Sequence, residues 1–492
     1  MNKTIDTLAN LLKKDVTFVQ SEEGDDAFKG ITYEIYEEGN EDLLAVCVLD
    51  LAGNLVNYYQ IDSYKQGDFM SGDMQSIAEK FIKAFYPQGL EEYLLQSIID
   101  LDETYIVTYG IKDEKYGIQL PGIGFSLTIS TGGEVVQFCY DHDQVDIVYP
   151  AQMISEAEAK EKYASLVDFE LIIRQTDTEI YKNGDNAYRL VYALKKAAVD
   201  IPTSGEEPVV VEEGNCYEPI QQQDGPSVSI YELIGMTENY VKLGEHVDED
   251  LVIKKWRHVS IPQPEEIDFT EAYAEQMITI HFDRETNMPT FIYNGEQWQG
   301  ERVQQADNVL QKKALDFLFK IFPEAHEHFV MEIEETEDEE WAEAIDDEFE
   351  GNDGEEWNDL DEGSMEENEE EEKSIAFYFQ YHANGVPVEK VTCIQVGTYS
   401  GNIVSASIEP VNQTFLAQIN TKPILSKEDA KKQFMRKLHM ELSMTLAYDE
   451  DGKPFYHLTY LPSFQETIGH IQMIDAENGK AYFVDIGDTQ FF

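Results

Sequence analysis

The chain has 492 residues, enough for two to four domains, and carries 98 Asp and Glu residues against 35 Lys and Arg residues, a formal net charge of −63. Its hydrophobic content of 42% is enough to build large cores, so the chain is not disordered throughout. The negative charge excludes a nucleic-acid binder, which needs a basic surface, and opposes contact with an anionic membrane.

The N-terminal segment predicts a short amphipathic helix rather than a secretory signal, because polar residues such as Thr4 and Asp6 interrupt any apolar core. The apolar side of this helix carries Ile5, Leu8, Leu11 and Leu12. No run in the sequence approaches the roughly 18 apolar residues of a membrane-spanning helix. We therefore expect a cytoplasmic protein without a membrane partner.

The first half predicts hairpins around one long helix. Residues 45–50 and 55–59 form strands around a Gly53-Asn54 turn, and residues 125–129 and 135–138 do so around Gly132-Gly133. Between them, residues 73–86 have apolar side chains at i, i+3 and i+4 spacing, which predicts a helix that ends at Pro87. Ser155 and Glu158 fit a capping box and predict the start of another helix.

The second half repeats this order. The segment 426–431 matches 155–160 at an offset of 271, and 317–323 matches 81–87 at an offset of 236. Less securely, Ile31-Thr32-Tyr33 matches Ile253-Lys254-Lys255. A helix is predicted over about 302–322, with Val303, Ala306, Leu310, Ala314, Phe317 and Ile321 on its apolar side. Hairpins are predicted at 391–404, turning near Gly401, and at 471–484, turning at Asn478-Gly479.

An insertion in the second half explains why the offset rises from 236 to 271. Residues 332–372 contain 24 Asp and Glu residues and no Lys or Arg, a composition that opposes packing into a core. We predict a disordered acidic loop between two strands. The chain is thus divided into a first copy, 1–225, and a second copy, 226–492, each expected to contain two α+β units with antiparallel sheets faced by helices.

Hairpins with glycine turns beside a helix of the form S-x-x-x-A-K, as at Ser155–Lys160, resemble PepSY-like domains. Their tandem arrangement over about 25–220 and 250–492 is similar to the YcdB/YcdC-type repeat proteins of Gram-positive bacteria. The resemblance implies tandem PepSY-like units in two homologous halves. PepSY domains are linked to peptidase propeptides and proposed peptidase inhibitors, so it also implies peptide or peptidase binding. It supplies no catalytic residues.

Four cysteines are spaced too far apart for a CxxC zinc motif, and their apolar surroundings predict buried thiols in a reducing compartment: Cys47, Cys139, Cys216 and Cys393. Pro121-Gly122-Ile123-Gly124 is interpreted as a loop before a strand. His326-Glu327-His328 is interpreted as a solvated helix end that needs a third partner to bind a metal.

The segment 140–146, Tyr-Asp-His-Asp-Gln-Val-Asp, is the most site-like run, since three carboxylates around a histidine suit a hard cation. Its alternative interpretation is a polar loop at a strand end. We therefore predict no catalytic, cofactor-binding or metal-binding residues and no cofactor. The leading hypothesis is a non-enzymatic binding or regulatory protein with a protein or peptide partner of basic character. The alternatives are a metal-dependent hydrolase with a site between the copies and an acidic solubility or cation-buffering protein.

Overall fold

The computed structural model describes residues 3–12, 15–21, 30–37, 39, 43–61, 67, 71–101, 103–142, 145–212, 216–248, 250–264, 267–270, 272–273, 276–295, 300, 302–333, 372–409, 419–449, 452–464, 469–484 and 488–491. Most of the predicted acidic insertion, 334–371, and Asp143 and Gln144 lie outside the described residues.

The described residues form mainly strands, with a smaller number of helices. The helices are α1 (Lys3–Leu12), α2 (Ser71–Phe85), α3 (Gly89–Glu92), α4 (Glu156–Leu166), α5 (Ile230–Leu233), α6 (Asp307–Ile321), α7 (Ala325–His328) and α8 (Lys427–Lys437). The strands of the first half are β1 (Val16–Gln20), β2 (Gly30–Glu37), β3 (Leu43–Asp50), β4 (Leu55–Gln60), β5 (Leu94–Asp100), β6 (Thr104–Lys112), β7 (Gln119–Ser130), β8 (Val135–Asp141), β9 (Asp146–Val148), β10 (Asp168–Gln175), β11 (Tyr188–Ala198), β12 (Ile201–Pro202), β13 (Val210–Glu212) and β14 (Cys216–Pro219). Those of the second half are β15 (Tyr240–Asp248), β16 (Leu251–His258), β17 (Met277–Asp283), β18 (Pro289–Asn294), β19 (Phe329–Ile333), β20 (Ser374–Ala383), β21 (Val386–Gly397), β22 (Ile403–Ser407), β23 (His439–Tyr448), β24 (Pro454–Ser463), β25 (Ile471–Asp475), β26 (Ala481–Phe483) and β27 (Asp488–Phe491).

The two halves build sheets of the same topology. Strands β1 to β8 lie in the order β1-β2-β3-β4-β8-β7-β6-β5, and strands β15 to β22 lie in the order β15-β16-β17-β18-β22-β21-β20-β19. Neighbours within both series are antiparallel. In each half one long helix, α2 or α6, connects the fourth strand to the fifth. The α+β class with antiparallel sheets faced by helices is therefore confirmed.

The hairpin turns follow from glycine. Gly53, Gly133, Gly401 and Gly479 adopt φ angles of 84°, 79°, 67° and 78°, a region that other residues rarely enter. Each lies at a turn predicted from the sequence.

The capped helices begin where the sequence predicts. The Ser155 hydroxyl accepts a hydrogen bond from the Glu158 N–H, and the Glu158 carboxylate accepts one from the Ser155 N–H at 2.8 Å, which completes a capping box. The Ser426 hydroxyl likewise accepts a hydrogen bond from the Asp429 N–H at 3.2 Å. The helix predicted over 302–322 begins instead at Asp307, and Val303 lies before it with 66% of its surface exposed.

Beyond these sheets, each half contributes elements to the other. The hairpin β10–β11 joins the second sheet, where Ile173 of β10 is paired in parallel with Val388 of β21. The hairpin β23–β24 packs on the first sheet, and its Met444, Tyr456 and Leu458 belong to the same core as Phe81 and Phe125. The edge strands are exchanged as well, since β27 is paired with β5 and β14 with β19.

The exchange is reciprocal around helices α4 and α8. The Lys160 ammonium donates a hydrogen bond to the Leu438 carbonyl at 2.5 Å, and the ammonium at the equivalent position, Lys431, donates one to the Val167 carbonyl at 2.7 Å. The equivalent rings of Tyr163 and Phe434 stack with their centroids 6.5 Å apart. The two copies therefore pack as partners related by an approximate internal two-fold axis, and they share sheets and cores.

Candidate functional site: a polar cleft in the first sheet

A cleft of about 350 Å³ lies in the first sheet where strands β5 to β8 meet the β23–β24 hairpin. Phe138 and Phe125 belong to the core beneath α2, and Phe138 lies 5.2 Å from Phe81, ring centroid to ring centroid. Side chains that alternate with these along the strands lie on the other face of the sheet. The polar residues of the cleft are Gln96, Ser97, Thr108, Gln119, Ser126, Cys139, Asp141 and Ser443. Since Ser443 belongs to β23, both halves line the cleft.

A row of small polar side chains crosses the four strands of the cleft. Ser97 is directly opposite Thr108, Thr108 is opposite Ser126, and Ser126 is opposite Cys139. The hydroxyls of Ser97 and Thr108 are hydrogen-bonded at 2.7 Å. Directly opposite residues share a face of the sheet, so the row forms one continuous polar surface.

Glycine allows the backbone of β6 and β7 to approach closely beside this row. Gly110 is paired with Gly124, which has a φ angle of 122°, and a Cβ at Gly124 would lie 2.0 Å from the Tyr109 carbonyl oxygen. The Tyr456 hydroxyl from β24 donates a hydrogen bond to the Pro121 carbonyl nearby. The prediction that 121–124 forms a loop before a strand is therefore wrong, because this segment lies within β7.

The second copy has larger residues at most of the equivalent positions. Tyr378 is opposite Cys393, which is opposite Ser407, and these three residues correspond to Thr108, Ser126 and Cys139. The Gly110–Gly124 pair is replaced by Gln380 opposite Val391. We attribute the open cleft of the first copy to its smaller side chains.

The electrostatics of the cleft disfavour a thiolate nucleophile at Cys139. Burial raises the pKa of the Cys139 thiol, and the charge of Asp141 raises it further. A nucleophilic thiolate needs a lowered pKa and a nearby base, and the described residues that line the cleft include no histidine, lysine or arginine. The lining offers hydroxyls, amides and the carboxylate of Asp141, which suit hydrogen bonding to a polar or cationic ligand.

The site-like run at 140–146 is divided between two environments. Asp141 lines the cleft, whereas Asp146 forms a salt bridge of 2.5 Å with Lys453, the residue before β24, which lowers the pKa of Asp146. The Tyr140 ring lies between Phe125, at 4.5 Å, and His142, at 5.1 Å. Aromatic packing of Tyr140 and the Asp146 salt bridge give both residues structural roles.

The histidines of α7 lie near the carboxylate of Glu324, which is not part of the His326-Glu327-His328 motif. Ligand atoms of Glu324, Glu327 and His328 lie within 4.8 Å of one another, the one such group among the described residues. His326 stacks on Phe319 with ring centroids 6.2 Å apart. Both carboxylates are exposed, and the three residues belong to a single four-residue helix and its N-cap.

The four cysteines form no disulfide among the described residues. Cys47 is fully buried, as predicted, but Cys139 and Cys393 are half-buried and Cys216 is exposed on β14. Burial raises the pKa of the Cys47 thiol to about 12, so this thiol is unreactive in the folded protein. Within the part of the chain that the structure describes, we find no helix that combines the length and hydrophobicity needed to cross a membrane.

These features define a two-copy α+β repeat protein with a polar cleft in one copy. Residues 14–142 match the model of a family described as the YcdB, YcdC repeated domain. The chain is 24% identical over 431 residues to the uncharacterized protein YcdB of Bacillus subtilis (strain 168), a match that covers 83% of this chain and 82% of that protein. It is 21% identical over 363 residues to the uncharacterized protein YcdC of the same organism, over 71% of each. These matches confirm the resemblance inferred from the sequence: the chain is similar to YcdB/YcdC-type repeat proteins.

Similarity to solved structures covers a smaller region. The C-terminal domain of Bacillus megaterium YpeB is 18% identical, with a TM-score of 0.27, over 43% of this chain and 96% of that domain.

Proposed function

We propose that this protein is a non-enzymatic binding protein that takes up extended, basic peptide segments by strand addition. The observation that carries the proposal is the pairing of two short strands with sheet edges: β14 adds to β19, and β27 adds to β5. In both cases a four-residue segment from one copy extends the sheet of the other. Strand addition of this kind is a common mode of peptide recognition.

Charge supports a basic ligand. The formal net charge of −63 attracts cationic segments over long range and repels acidic ones. At the sheet itself, Asp141 gives the cleft a carboxylate that suits a lysine or arginine side chain. The hydroxyl row beside it offers hydrogen bonds without a fixed charge.

The cleft does not favour the rival hydrolase hypothesis. It does lie between the copies, as that hypothesis requires, but Asp141 is the one carboxylate among its described lining residues. Catalytic metal sites usually need three protein ligands. The raised pKa of Cys139 also disfavours covalent catalysis.

Binding is tested by fluorescence anisotropy with two labelled octapeptides, one of alternating lysine and valine and the other of alternating glutamate and valine. We expect saturable binding of the lysine peptide at low salt and weaker binding at 0.15 M salt, where the Debye length falls to about 8 Å. No saturable binding of the lysine peptide, or equal binding of both peptides, would refute the proposal.

A matched pair of variants locates the binding. Asp141→Asn should weaken binding of the lysine peptide about tenfold, since a hydrogen bond to a charged group contributes about 1.5 kcal/mol or more. The control is Glu409→Gln at the equivalent position of the second copy, where Glu409 is paired with Lys390 at 2.5 Å. That variant should leave the affinity unchanged.

A further inference from the structure

A small pocket with a basic lining lies in the second sheet, at strands β10 and β11. It has a volume of about 80 Å³. Gln472 of β25 also lines it, so both copies contribute to the pocket. The described lining residues are Arg174, Leu194, Lys195, Lys196, Ala197, Val211 and Gln472.

The charge of this lining is opposite to that of the chain. Three of the seven described lining residues are Lys or Arg, and none of the seven is Asp or Glu. Lys and Arg account for 35 of the 492 residues, so seven residues chosen at random would include fewer than one of them. Since the net charge of −63 repels anions at long range, an anion binds to this protein only where positive charge is concentrated locally.

A β-bulge directs two neighbouring lysines to the same pocket. In the β10–β11 ladder Phe169 is opposite Leu194. The next pair is Asp168 with Lys196, which leaves Lys195 as the extra residue of the bulge. Successive side chains of a regular strand point to opposite faces, and a bulge changes that direction locally. Lys195 and Lys196 can therefore line one pocket together.

The second copy shows that a hairpin of this kind folds without the bulge and without the charges. Hairpin β23–β24 is equivalent to β10–β11, since their strands are related by offsets of 271 and 268 residues. Its ladder continues without a shift from Met440 opposite Pro462 to His439 opposite Ser463. The bulge and its cations are thus specific to the first copy, and folding alone does not account for them. The second copy has Thr445 in place of Arg174, Ser463 in place of Lys195 and Phe464 in place of Lys196.

Arg174 keeps hydrogen-bond donors for a ligand. Its Nε lies 2.8 Å from the Glu389 carboxylate, and its Nη1 donates a hydrogen bond of 3.5 Å to the Tyr181 hydroxyl. A guanidinium has five N–H donors, so these two contacts leave others for an anion in the pocket. Glu389 is also the internal carboxylate whose charge opposes such an anion.

We propose that this pocket binds a phosphate group, either as the free ion or as the end of a phosphate monoester. Guanidinium and ammonium groups form strong, charge-assisted hydrogen bonds with phosphate oxygens. A water molecule takes up about 30 Å³ of liquid, so a volume of about 80 Å³ suits one phosphate group and leaves the rest of a larger ligand outside. Phosphate binding here does not depend on peptide binding at the polar cleft, because the two sites share no described lining residue.

The test is isothermal titration calorimetry of the full-length chain at constant ionic strength, with inorganic phosphate, phenyl phosphate and acetate as probes. We expect one saturable site per chain, with a Kd of about 1 mM or lower for the better phosphate probe and weaker binding of acetate. Tighter binding of inorganic phosphate supports the free ion as the ligand, and tighter binding of phenyl phosphate supports a monoester. Without saturable binding of either phosphate probe, or with equal binding of acetate, the assignment of a phosphate site is wrong.

Two lysine variants locate the site. Lys195→Gln should weaken phosphate binding about fivefold, the effect of losing one partly exposed charge pair. The control is Lys83→Gln on α2, which removes the same charge from an exposed ion pair with Glu79 and should leave phosphate binding unchanged. Equal weakening in both variants would show that binding responds only to the net charge and would refute the pocket.

A third variant tests the pocket in the opposite direction. Glu389→Gln removes the carboxylate beside Arg174 and should tighten phosphate binding several-fold. If Lys195→Gln fails to fold, as judged by its melting curve, the result for Glu389→Gln decides the question. Unchanged or weaker phosphate binding by Glu389→Gln would then contradict a phosphate site at Arg174.

Discussion

Truncation of Phe434 should destabilise both copies together. The Phe434 side chain is fully buried on α8, with its ring centroid 5.3 Å from that of Phe169, 5.2 Å from that of Phe464 and 6.5 Å from that of Tyr163. Phe434→Ala removes these contacts and leaves a cavity, which typically costs about 3–5 kcal/mol. Domains are stable by only about 5–15 kcal/mol, so the loss should be large.

Two probes distinguish the copies during chemical denaturation. Trp256, Trp298, Trp341 and Trp357 all belong to the second copy, so tryptophan fluorescence reports on that copy. Pulse labelling of Cys47, resolved by peptide mass spectrometry, reports on the first copy, because this thiol is fully buried. Since α4 and α8 pack across the internal axis, Phe434→Ala should lower the midpoint of both signals.

The control for this experiment is Leu51→Ala, since the Leu51 side chain is 87% exposed and should change stability by no more than about 0.5 kcal/mol. A fall in the fluorescence midpoint with unchanged protection of Cys47 would show that the copies unfold independently, and the exchange of elements between them would then contribute little to stability.

Deletion of 334–371 should leave the thermal midpoint nearly unchanged, because β19 and β20 still pair and closing a loop twice as long costs only about 0.6 kcal/mol. Melting curves at low and high salt check this prediction, and loss of cooperative unfolding would contradict it. Hydrogen bonds from Arg189 and Thr176 lower the pKa of Asp185 to about 2. The stability difference between the unchanged protein and Asp185→Asn should therefore be full above the ordinary pKa of about 3.9 and shrink as the pH falls toward 2. Urea titrations at several pH values measure this difference. Thr108→Tyr, which copies Tyr378 of the second sheet, should fill the cleft and abolish binding of the alternating lysine peptide without lowering the melting temperature, whereas unchanged binding would show that the peptide does not use the cleft.

Local signals in the sequence predicted the elements well. Glycine turns, apolar stripes and the caps at Ser155 and Ser426 depend on a few neighbouring residues, so they are visible before the fold is known. The start of α6 is an exception, because Val303 continues its apolar spacing although this residue lies before the helix and is exposed. Spacing alone does not distinguish a helical residue from one that precedes the helix.

The repeat was visible in the sequence, but its register in the first strands was not. Strand pairing places Thr32 opposite Val48 and Ile253 opposite His281. Because Val48 and His281 occupy equivalent positions of the two sheets, Thr32, not Ile31, is the counterpart of Ile253. A shift of one residue moves every side chain of a strand to the opposite face. The sequence match at 31–33 is displaced by one residue, so it does not identify which side chains of these strands lie on the face of the sheet that carries the cleft.

The cleft itself depends on that register. Thr108, Ser126 and Cys139 are separated in sequence and form a row only because two ladders align them. A signal was present, since the repeat contrasts the small Thr108 with the large Tyr378. This contrast becomes informative once the strand pairing shows that the two residues occupy equivalent positions. Residue spacing in the sequence does not supply that pairing.

The exchange of hairpins and edge strands explains why a duplicated chain can differentiate its copies. Tyr456 and Ser443 of the second copy complete the cleft of the first, so the cleft requires both copies to be folded. Meanwhile the second sheet carries Tyr378 and Val391 where the first has Thr108 and Gly124. One sheet can thus carry bulky side chains while its counterpart keeps an open cleft, because stability is shared across the internal axis while the cleft lies in the first sheet.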